Sequence, residues 1–472
     1  MRMRPIFFVN GAVLTIISLP LLLIEMLNRG ADLPFLKAFL VMIFLGVGLM
    51  LSSRGGQVQL SHKQVFILTA SIWLVLTGAS TLPFYMYGMD ISDAVFEATS
   101  AITTTGATVL SGLDELPHSI LMWRAFLQWL GGIGIVVTAI ALLPFLGIGG
   151  MQLFRTESSE ASEKELPSAA KLASTTMWVY MGMTTLCAAS YLIGGMTVFD
   201  AIAHSFTTVA TGGFSTHDAS IGFFQSNWIY WTCIIFMFGG SIPFLWYIRA
   251  IKVQRFGSEQ IKVYSITLLV LIAGVTTWLI AEKGFEPYDA LLHATFNVVS
   301  VVTTSGFAIS DYSLWGGFSA LLFFFLIFMG GCAGSTSGGI KMLRFIISVK
   351  MIRQIIRKQI FPNGIFVEKY EGKKISDDIF IGVASFVFVF IATFGFFSVV
   401  LMALGMDFIS AVSGSATMIS NVGPGIGLYI GPEANFSEVP TAAKWIFSAE
   451  MIFGRLEIFT LLIFLTPRFW RS

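Results

Sequence analysis

Apolar residues occur along the chain in long blocks that are separated by short polar stretches. A helix that crosses a bilayer needs about 20 mostly apolar residues, and ten blocks approach or exceed this length. Four shorter apolar runs lie between them and are too short to cross, so we predict that they are re-entrant segments. The ten blocks cover residues 6–27, 35–52, 65–88, 120–147, 174–196, 226–250, 262–281, 317–350, 378–405 and 441–466. The four short runs cover residues 92–105, 199–212, 289–305 and 408–422.

Charged residues separate the loops between these blocks into two classes. About 22 of the 28 Lys and Arg residues fall in alternate loops, starting with the N-terminus. Acidic residues concentrate in the remaining loops, for example Asp90, Asp114 and Asp218. Because loops rich in Lys and Arg remain in the cytoplasm, the pattern predicts that both termini are cytoplasmic and that the four short runs lie on the external side.

Composition supports a membrane protein and argues against several other classes. Of the 472 residues, 55% are hydrophobic and only 12% are charged, against about 25% charged in a soluble domain. The net charge of +1 argues against a nucleic-acid partner, which requires a concentrated basic surface. The three cysteines lack the spacing of a disulfide or zinc framework, and no nucleophile elbow, phosphate loop or paired carboxylates indicate an enzyme.

Each short run is followed by a loop that contains glycine, and the four loops align without gaps, with Gly106, Gly213, Gly306 and Gly423 in the same place. Twelve residues before each glycine stands an alanine, and six residues before it stands Ser or Thr. The chain is therefore predicted to be an all-α polytopic membrane protein with four tandem helix–pore-loop–helix repeats in a pseudo-fourfold arrangement. The predicted repeats are residues 61–155, 156–257, 258–360 and 361–472, after an extension of two transmembrane helices at 1–60.

One position inside the short runs differs in every repeat, where Glu97, His204, Asn297 and Gly414 align. Four different residues at one place indicate that each short helix makes its own local hydrogen bonds. A proton relay would need titratable groups at several of these positions, so we do not predict one.

The glycine-containing loops are predicted to form an ion filter. Non-helical backbone at membrane depth is tolerated only where protein buries it or where it lines a wet cavity. Glycine lets such loops turn their carbonyls toward a common axis, and a ring of carbonyls can replace the water shell of potassium. The alternative is that small and hydroxyl residues merely let helices pack closely. The predicted potassium ligands are Thr104, Thr105, Gly106, Thr211, Gly212, Gly213, Thr304, Ser305, Gly306, Asn421, Val422 and Gly423.

The block at 317–350 contains five glycines within residues 330–339. Each glycine weakens a helix by about 1 kcal/mol relative to alanine, so a continuous helix is not expected there. We predict a flexible intramembrane loop that acts as a gate, and the alternative is a kink that allows close packing. The predicted gate residues in this loop are Gly334, Ser335, Thr336, Gly338 and Gly339.

Two basic residues are further gate candidates. Arg455 lies inside the last apolar block, where a charge is expensive and usually marks a pathway or a paired site. Glu450 and Glu457 are five and two residues away, so neither shares its helical face. A buried salt bridge without a transport role is the alternative. Lys341 follows the glycine-rich loop and either anchors it or flanks the membrane on the cytoplasmic side.

The motifs at 209–218, 330–341 and 454–457 resemble those of the Trk/Ktr/HKT superfamily of potassium transporters, most closely the bacterial TrkH/TrkG type. The resemblance covers about residues 65–472, and two additional N-terminal helices are also typical of TrkH-type members. It implies potassium uptake across the bacterial inner membrane, with the glycine-rich loop below the filter and Arg455 facing the pore. The resemblance implies that the filter glycines matter for potassium selectivity, and Gly106 is present here. The fourth loop departs from the Thr-rich pattern of the family, because it has Asn421 and Val422.

The resemblance also implies partners. It implies a homodimer, and a cytosolic regulatory protein of the TrkA type, whose RCK domains would bind the nucleotide (ATP/ADP or NAD). This chain would then bind no cofactor other than potassium. The basic stretch at 350–374 and the polar linker at 156–171 are the predicted docking surfaces, and contact with anionic lipid is the alternative for the basic stretch. A sodium- or proton-coupled transporter remains a second hypothesis, although such proteins often have inverted repeats.

Overall fold

The computed structural model describes residues 3–28, 32–55, 61–142, 169–254, 256–427 and 429–471, and within these ranges the chain is mostly helical. In chain order the helices are α1 (Arg4–Glu25), α2 (Pro34–Ser52), α3 (His62–Tyr87), α4 (Ile91–Ile102), α5 (His118–Leu142), α6 (Ala169–Ile193), α7 (Val198–Val209), α8 (Asn227–Gly240), α9 (Phe244–Val253), α10 (Glu259–Lys283), α11 (Pro287–Val302), α12 (Gly317–Ile327), α13 (Met342–Ile360), α14 (Asp377–Ala403), α15 (Phe408–Ser420), α16 (Thr441–Arg455), α17 (Phe459–Leu462) and α18 (Pro467–Arg471). Single 3₁₀ turns lie at Leu113–Glu115, Ser220–Phe224, Tyr312–Trp315 and Ile463–Leu465.

The described ranges contain six continuous helices that are long and apolar enough to cross a membrane, namely α1, α2, α3, α5, α10 and α14. In the most apolar stretches of α10 and α14 only 22% of residues are buried in the protein, so the remaining surface is apolar and faces outward. Such a surface is stable in lipid and not in water. The chain is a multi-pass membrane protein, as the apolar pattern predicts.

Three predicted blocks are broken. Block 226–250 consists of α8 and α9, which meet at 89°. The bend falls just before Pro243, which has no backbone N–H to continue the helix. Block 317–350 consists of α12 and α13 with the glycine-rich loop between them, as predicted. Block 441–466 ends its long helix at Arg455, and Glu457 then takes a left-handed φ of 55°, which redirects the chain before α17.

The four short runs form the helices α4, α7, α11 and α15, and most of their side chains are buried. Polar caps fix where two of them begin. The side chain of Thr197 accepts from the backbone N–H of Asp200, and that of Asp407 accepts from the N–H of Ser410. These caps satisfy helix-end donors that would otherwise be unpaired within the protein interior.

A small hairpin departs from the all-helical prediction. Strands β1 (Lys369–Tyr370) and β2 (Lys373–Lys374) pair antiparallel, with Lys369 opposite Lys374. The two residues between the strands, Glu371 and Gly372, have φ values of 46° and 78°, as a two-residue hairpin turn requires. Lys350 Nζ on α13 lies 2.5 Å from Glu259 Oε1 at the start of α10, so the basic stretch folds against α10. Of the predicted docking linker at 156–171, residues 156–168 lie outside the described ranges, as do the boundaries predicted at 155/156 and at residue 60.

Candidate functional site

The four glycine-containing loops have the same backbone conformation. The residue two places before each glycine has φ between 50° and 59°, and each glycine also has a positive φ. The fourth loop follows this pattern with Asn421, whose φ is 54° and whose residue type tolerates the left-handed region better than most. The four residues with left-handed φ are Thr104, Thr211, Thr304 and Asn421, and the four glycines are Gly106, Gly213, Gly306 and Gly423.

One hydrogen bond recurs in all four loops. The N–H of the residue before the glycine donates to the carbonyl of the Ser or Thr six places before the glycine, over 2.8–3.0 Å. The donors are Thr105, Gly212, Ser305 and Val422, and the acceptors are Ser100, Thr207, Ser300 and Thr417. The aligned hydroxyl residues of the sequence therefore mark the last turn of each short helix, where its backbone closes onto the loop.

The loops also contact one another in a closed ring. A Cβ atom built on each filter glycine would lie less than 3.0 Å from a backbone carbonyl oxygen of the next loop. The fourth contact returns to the first loop, so the order around the ring is the order in the chain. Only glycine fits at these positions, on both space and φ. The four contacts are Gly106 with Gly212 O, Gly213 with Ser305 O, Gly306 with Val422 O, and Gly423 with Thr105 O.

The position that differs between repeats makes local hydrogen bonds, as its four residues predict. Glu97 accepts from the backbone N–H of Val109 at 3.1 Å, just beyond the first filter glycine. His204 Nε2 lies 2.9 Å from Ser215 Oγ in the second loop. Asn297 Nδ2 donates to Ser310 Oγ at 3.2 Å in the third loop. Three of the four short helices are thus tied to the backbone that leaves their own loops, whereas Gly414 in the fourth has no side chain for such a bond.

Arg124 on α5 links the first loop to the second, although the apolar pattern alone does not mark it. Its side chain is 1% exposed, and its Nε lies 2.6 Å from Glu97 Oε1. Nη2 donates to Thr108 Oγ1 in the first loop, and Nη1 donates to the carbonyl of Ser215 in the second, both at 3.1 Å. The guanidinium lies 4.1 Å from the centre of the Phe214 ring. A buried ion pair needs such additional hydrogen bonds to offset its desolvation.

The glycine-rich segment forms a loop that touches two of the four glycine-containing loops. The Thr336 side chain lies 3.1 Å from Thr211 Oγ1 and donates to the carbonyl of Gly240 at 3.0 Å. The N–H of Gly338 donates to Thr304 Oγ1 at 2.6 Å, and the carbonyl of Gly334 accepts from Phe244 at 3.0 Å. The predicted gate loop therefore contacts the second and third filter loops.

The remaining predicted gate residues lie in or beside the same loop. Ser335 Oγ donates to the carbonyl of Cys332 at 2.6 Å, and this bond holds a turn of the loop. Gly339 takes a left-handed φ of 64° where the loop turns back past Gly330. Lys341 Nζ donates to the carbonyl of Ser337, so its side chain contacts the loop it follows.

Arg455 connects this loop to the first repeat. It is 3% exposed, and its Nη1 donates to the carbonyl of Thr336 at 2.9 Å while Nη2 donates to the carbonyl of Gly131 at 3.2 Å. Within the described ranges no carboxylate lies within salt-bridge distance of Arg455. Its two neighbouring acids are used elsewhere, because Glu457 pairs with Arg344 at 2.6 Å and Glu450 accepts from Ser415. The salt-bridge alternative is therefore not supported.

A cluster around His217 joins the loops that follow the first and second short helices. His217 Nδ1 contacts Asp114 Oδ1, and its Nε2 lies 3.6 Å from Asp200 Oδ1. Its ring stacks on Phe223 with centroids 3.6 Å apart, and Asp218 accepts from the N–H of Leu113 at 3.0 Å. Burial lowers the pKa of His217, but the neighbouring carboxylates of Asp200 and Asp114 outweigh it, so the pKa is raised above the ordinary 6.5. The bond with His217 lowers the pKa of Asp114.

The contribution of His217 to stability should therefore depend on pH. Because its folded pKa lies above its unfolded pKa, the stabilisation is fully present below about pH 6.5 and is lost as pH rises through the folded value. We expect His217→Gln to lower the Tm of the detergent-solubilised protein more at pH 6 than at pH 9. His118→Gln is the control for loss of a stacked ring, since that exposed ring stacks on Phe199 as the ring of His217 stacks on Phe223. An equal loss of Tm at both pH values for His217→Gln would contradict the expectation.

Known proteins resemble this chain over its whole length. The family described as TrkH, cation transport protein, matches residues 33–472. The "Trk system potassium uptake protein TrkI" of Halomonas elongata is 44% identical over 421 residues, which cover 88% of this chain and 85% of that protein. The "Trk system potassium uptake protein TrkH" of Vibrio parahaemolyticus is 37% identical, with 100% of both chains covered. The crystal structure of the potassium transporter TrkH from Vibrio parahaemolyticus matches with a TM-score of 0.92 at 36% identity, and covers 100% of each chain.

Proposed function

This chain belongs to the TrkH family of cation transport proteins and is not an enzyme, and we propose that it takes up potassium through the ring of four glycine-containing loops. The closed ring carries the proposal, because each filter glycine lies against a backbone carbonyl of the next loop. Such a ring offers carbonyl oxygens in place of water to a dehydrated cation. The short helices end at the ring, and their C-terminal ends carry a partial negative charge that favours a cation. The relatives named above are potassium uptake proteins by name, which favours potassium as the ion.

The proposal includes a gate on the side of the ring where the glycine-rich loop lies. Thr336 and Gly338 reach the second and third filter loops, so the segment is close enough to obstruct an ion that leaves the filter. Arg455 holds this segment through the carbonyl of Thr336 and places a positive charge beside it. Opening would then require the loop to move away from both contacts, which glycine-rich backbone allows.

Further parts of the proposal concern location and partners. We place the protein in the bacterial inner membrane with both termini in the cytoplasm, on the strength of its Lys and Arg distribution. We also propose a homodimer and a cytosolic TrkA-like RCK regulator that binds the nucleotide, since the relatives are named as members of a Trk system. The basic surface of α13 and the adjoining hairpin, including the exposed Arg353 and Lys358, is the docking surface we favour for the regulator.

Growth on limiting potassium tests the proposed function. A bacterium that lacks its own potassium uptake systems should grow at low external potassium when it expresses this chain together with a cytosolic regulator of the Trk type. The vector alone, and the chain with added sodium in place of potassium, serve as controls. Failure to restore growth by a chain that is present in the membrane, with the regulator supplied, would contradict potassium uptake.

A further inference from the structure

The second filter loop lacks a support that the first and third loops possess. In the first loop, Thr103 Oγ1 and Thr105 Oγ1 form a hydrogen bond of 2.8 Å across the residue with left-handed φ. In the third loop, Thr303 Oγ1 and Ser305 Oγ form the same bond at 2.9 Å. The corresponding residues of the second loop are alanine and glycine, at positions 210 and 212, which have no side-chain hydroxyl. The second loop must therefore be held in another way.

Gln128 supplies that support from α5, a helix of the first repeat. Its side chain is fully buried, and its Nε2 donates to the carbonyl of Gly212 at 2.6 Å. Its Oε1 accepts from the N–H of Phe214 at 3.0 Å. One amide group thus binds the residues on both sides of the filter glycine Gly213, as a donor to Gly212 and as an acceptor from Phe214. A flipped amide would oppose donor to donor and acceptor to acceptor, so the orientation is fixed by both bonds.

The fit between Gln128 and the second loop is steric as well as polar. A Cβ atom on Gly212 would lie less than 3.0 Å from the Cδ, Oε1 and Nε2 atoms of Gln128. The other loops have a side chain at this position, namely Thr105, Ser305 and Val422. The glycine at position 212 therefore leaves the space that the glutamine amide occupies.

The equivalent positions in two other repeats show what Gln128 replaces. The glycines Gly131, Gly240 and Gly454 occupy equivalent positions in the first, second and fourth repeats. A Cβ atom on each would lie less than 3.0 Å from the backbone carbonyl oxygen of the residue four places before the filter glycine of the same repeat. Three residues before each of them stand Gln128, Met237 and Met451, all fully buried. Methionine is thus compatible with this position in the fold, and the glutamine adds hydrogen bonding and not merely volume.

We propose that Gln128 is a positioning residue that sets the carbonyl geometry of the second filter loop and thereby contributes to selection of potassium over sodium, an inference that rests on the proposed function. Without the amide, the carbonyl of Gly212 and the N–H of Phe214 are buried without partners. Their peptide planes are then free to rotate around Gly213, whose residue type allows many backbone angles. A filter whose carbonyls rotate inward accommodates the smaller sodium ion, because the ring no longer enforces the spacing that suits potassium.

Gln128→Met tests the proposal, with potassium and sodium uptake measured separately in proteoliposomes. We expect the ratio of potassium to sodium uptake to fall about tenfold, which corresponds to about 1.4 kcal/mol, the size expected for a buried hydrogen-bonding group left without its partner. The variant should remain folded, since methionine occupies the equivalent position in two other repeats, although the two unpaired backbone groups should lower its Tm. Gln64→Met is the control. Gln64 is also buried, but its Oε1 accepts from the N–H of Ser61 at 2.8 Å in the capping box at the start of α3, so its loss should leave the ion ratio unchanged.

A double-mutant comparison tests the steric fit between Gln128 and Gly212. It does not require the Gln128→Met variant to fold. Gly212→Ala should strongly reduce uptake in the wild type, because the methyl group overlaps the Gln128 amide. The same change should reduce uptake much less when it is introduced together with Gln128→Ala, since the smaller side chain frees the space. An equal loss in both backgrounds would overturn the assignment.

The outcomes separate this inference from the proposed function. A wild type that takes up potassium selectively, with a folded Gln128→Met variant of unchanged ion ratio, would refute the role of Gln128 alone. A fall of equal size in Gln64→Met would also refute it, since the effect would not be specific to the filter contact. A wild type that takes up neither ion would refute the proposed function, and the inference with it.

Discussion

Gly106→Ser should remove most of the preference for potassium over sodium while the protein still folds. The serine Cβ would lie less than 3.0 Å from the carbonyl oxygen of Gly212, so one of the two loops must shift. The position also has a φ of 86°, and a left-handed conformation costs a non-glycine residue about 1–2 kcal/mol. Both effects act on the ring itself. Potassium and sodium uptake into proteoliposomes should therefore show a fall in the ion ratio of at least about tenfold, the factor that corresponds to about 1.4 kcal/mol.

Gly112→Ser is the matched control for this prediction. Gly112 also has a left-handed φ, of 68°, but no atom lies within 4 Å of the place where its Cβ would stand. The substitution thus introduces comparable backbone strain without overlap, outside the ring. We expect it to lower Tm slightly and to leave the ion ratio intact. If both variants lose selectivity to the same degree, strain alone explains the result and the ring contact does not.

The internal repeat is the reason that the sequence points to these four loops as the predicted filter. Each loop by itself is a short run of common residues, but four aligned copies show which glycine is shared. The alignment also gives Asn421 the same position as a threonine in each of the other three loops. Its φ of 54° is close to the φ of those threonines and agrees with the alignment. The places of the long helices followed from length and hydropathy, because a span must cover a fixed thickness, but the breaks within three of the blocks did not all follow.

The links between repeats could not be predicted in the same way. Gln128 and Gly212 are 84 residues apart, and nothing in the local pattern states which loop a buried amide contacts. The sequence does contain a signal, since Arg124 and Gln128 are polar residues one helical turn apart in an apolar block. That signal marks the face of α5 as functional, but it does not identify the partner. The break after Arg455 depends on tertiary contacts, because the left-handed φ of Glu457 follows no turn motif.

The side-chain supports of the ring are not fourfold symmetric, although its backbone is. The first and third loops are held by hydroxyl pairs within the loop, and the second is held by α5. In the fourth loop Asn421 Nδ2 donates to Thr105 Oγ1 at 3.0 Å and to the carbonyl of Met451 at 2.9 Å. The backbone is alike in all four loops because the ring must close, whereas the side chains that support each loop differ. Substitutions at aligned positions should therefore differ in effect from one repeat to the next.

Arg455→Ala should raise potassium flux through the protein in the absence of any cytosolic regulator. The guanidinium donates to the carbonyl of Thr336, so its removal releases the glycine-rich loop from α16. It also removes a positive charge. At a separation of about 10 Å and an effective dielectric constant of about 20, that charge opposes a potassium ion by about 1.7 kcal/mol, which is more than tenfold in occupancy. Both effects favour conduction, and potassium flux into proteoliposomes that contain the chain alone should rise by at least about tenfold.

Two further variants distinguish these effects from general damage. Arg455→Lys keeps the charge but cannot reach the carbonyls of both Thr336 and Gly131 in the geometry of a guanidinium, so its flux should rise less than that of Arg455→Ala. Arg344→Ala removes another arginine that is 3% exposed, which pairs with Glu457 at 2.6 Å and lies over the Phe386 ring. Loss of that pair should lower Tm without raising flux, because a carboxylate is left unpaired while the loop contact is retained. Equal flux increases in Arg344→Ala and Arg455→Ala would mean that loosening this end of α16 is sufficient, and that Arg455 is not itself the barrier.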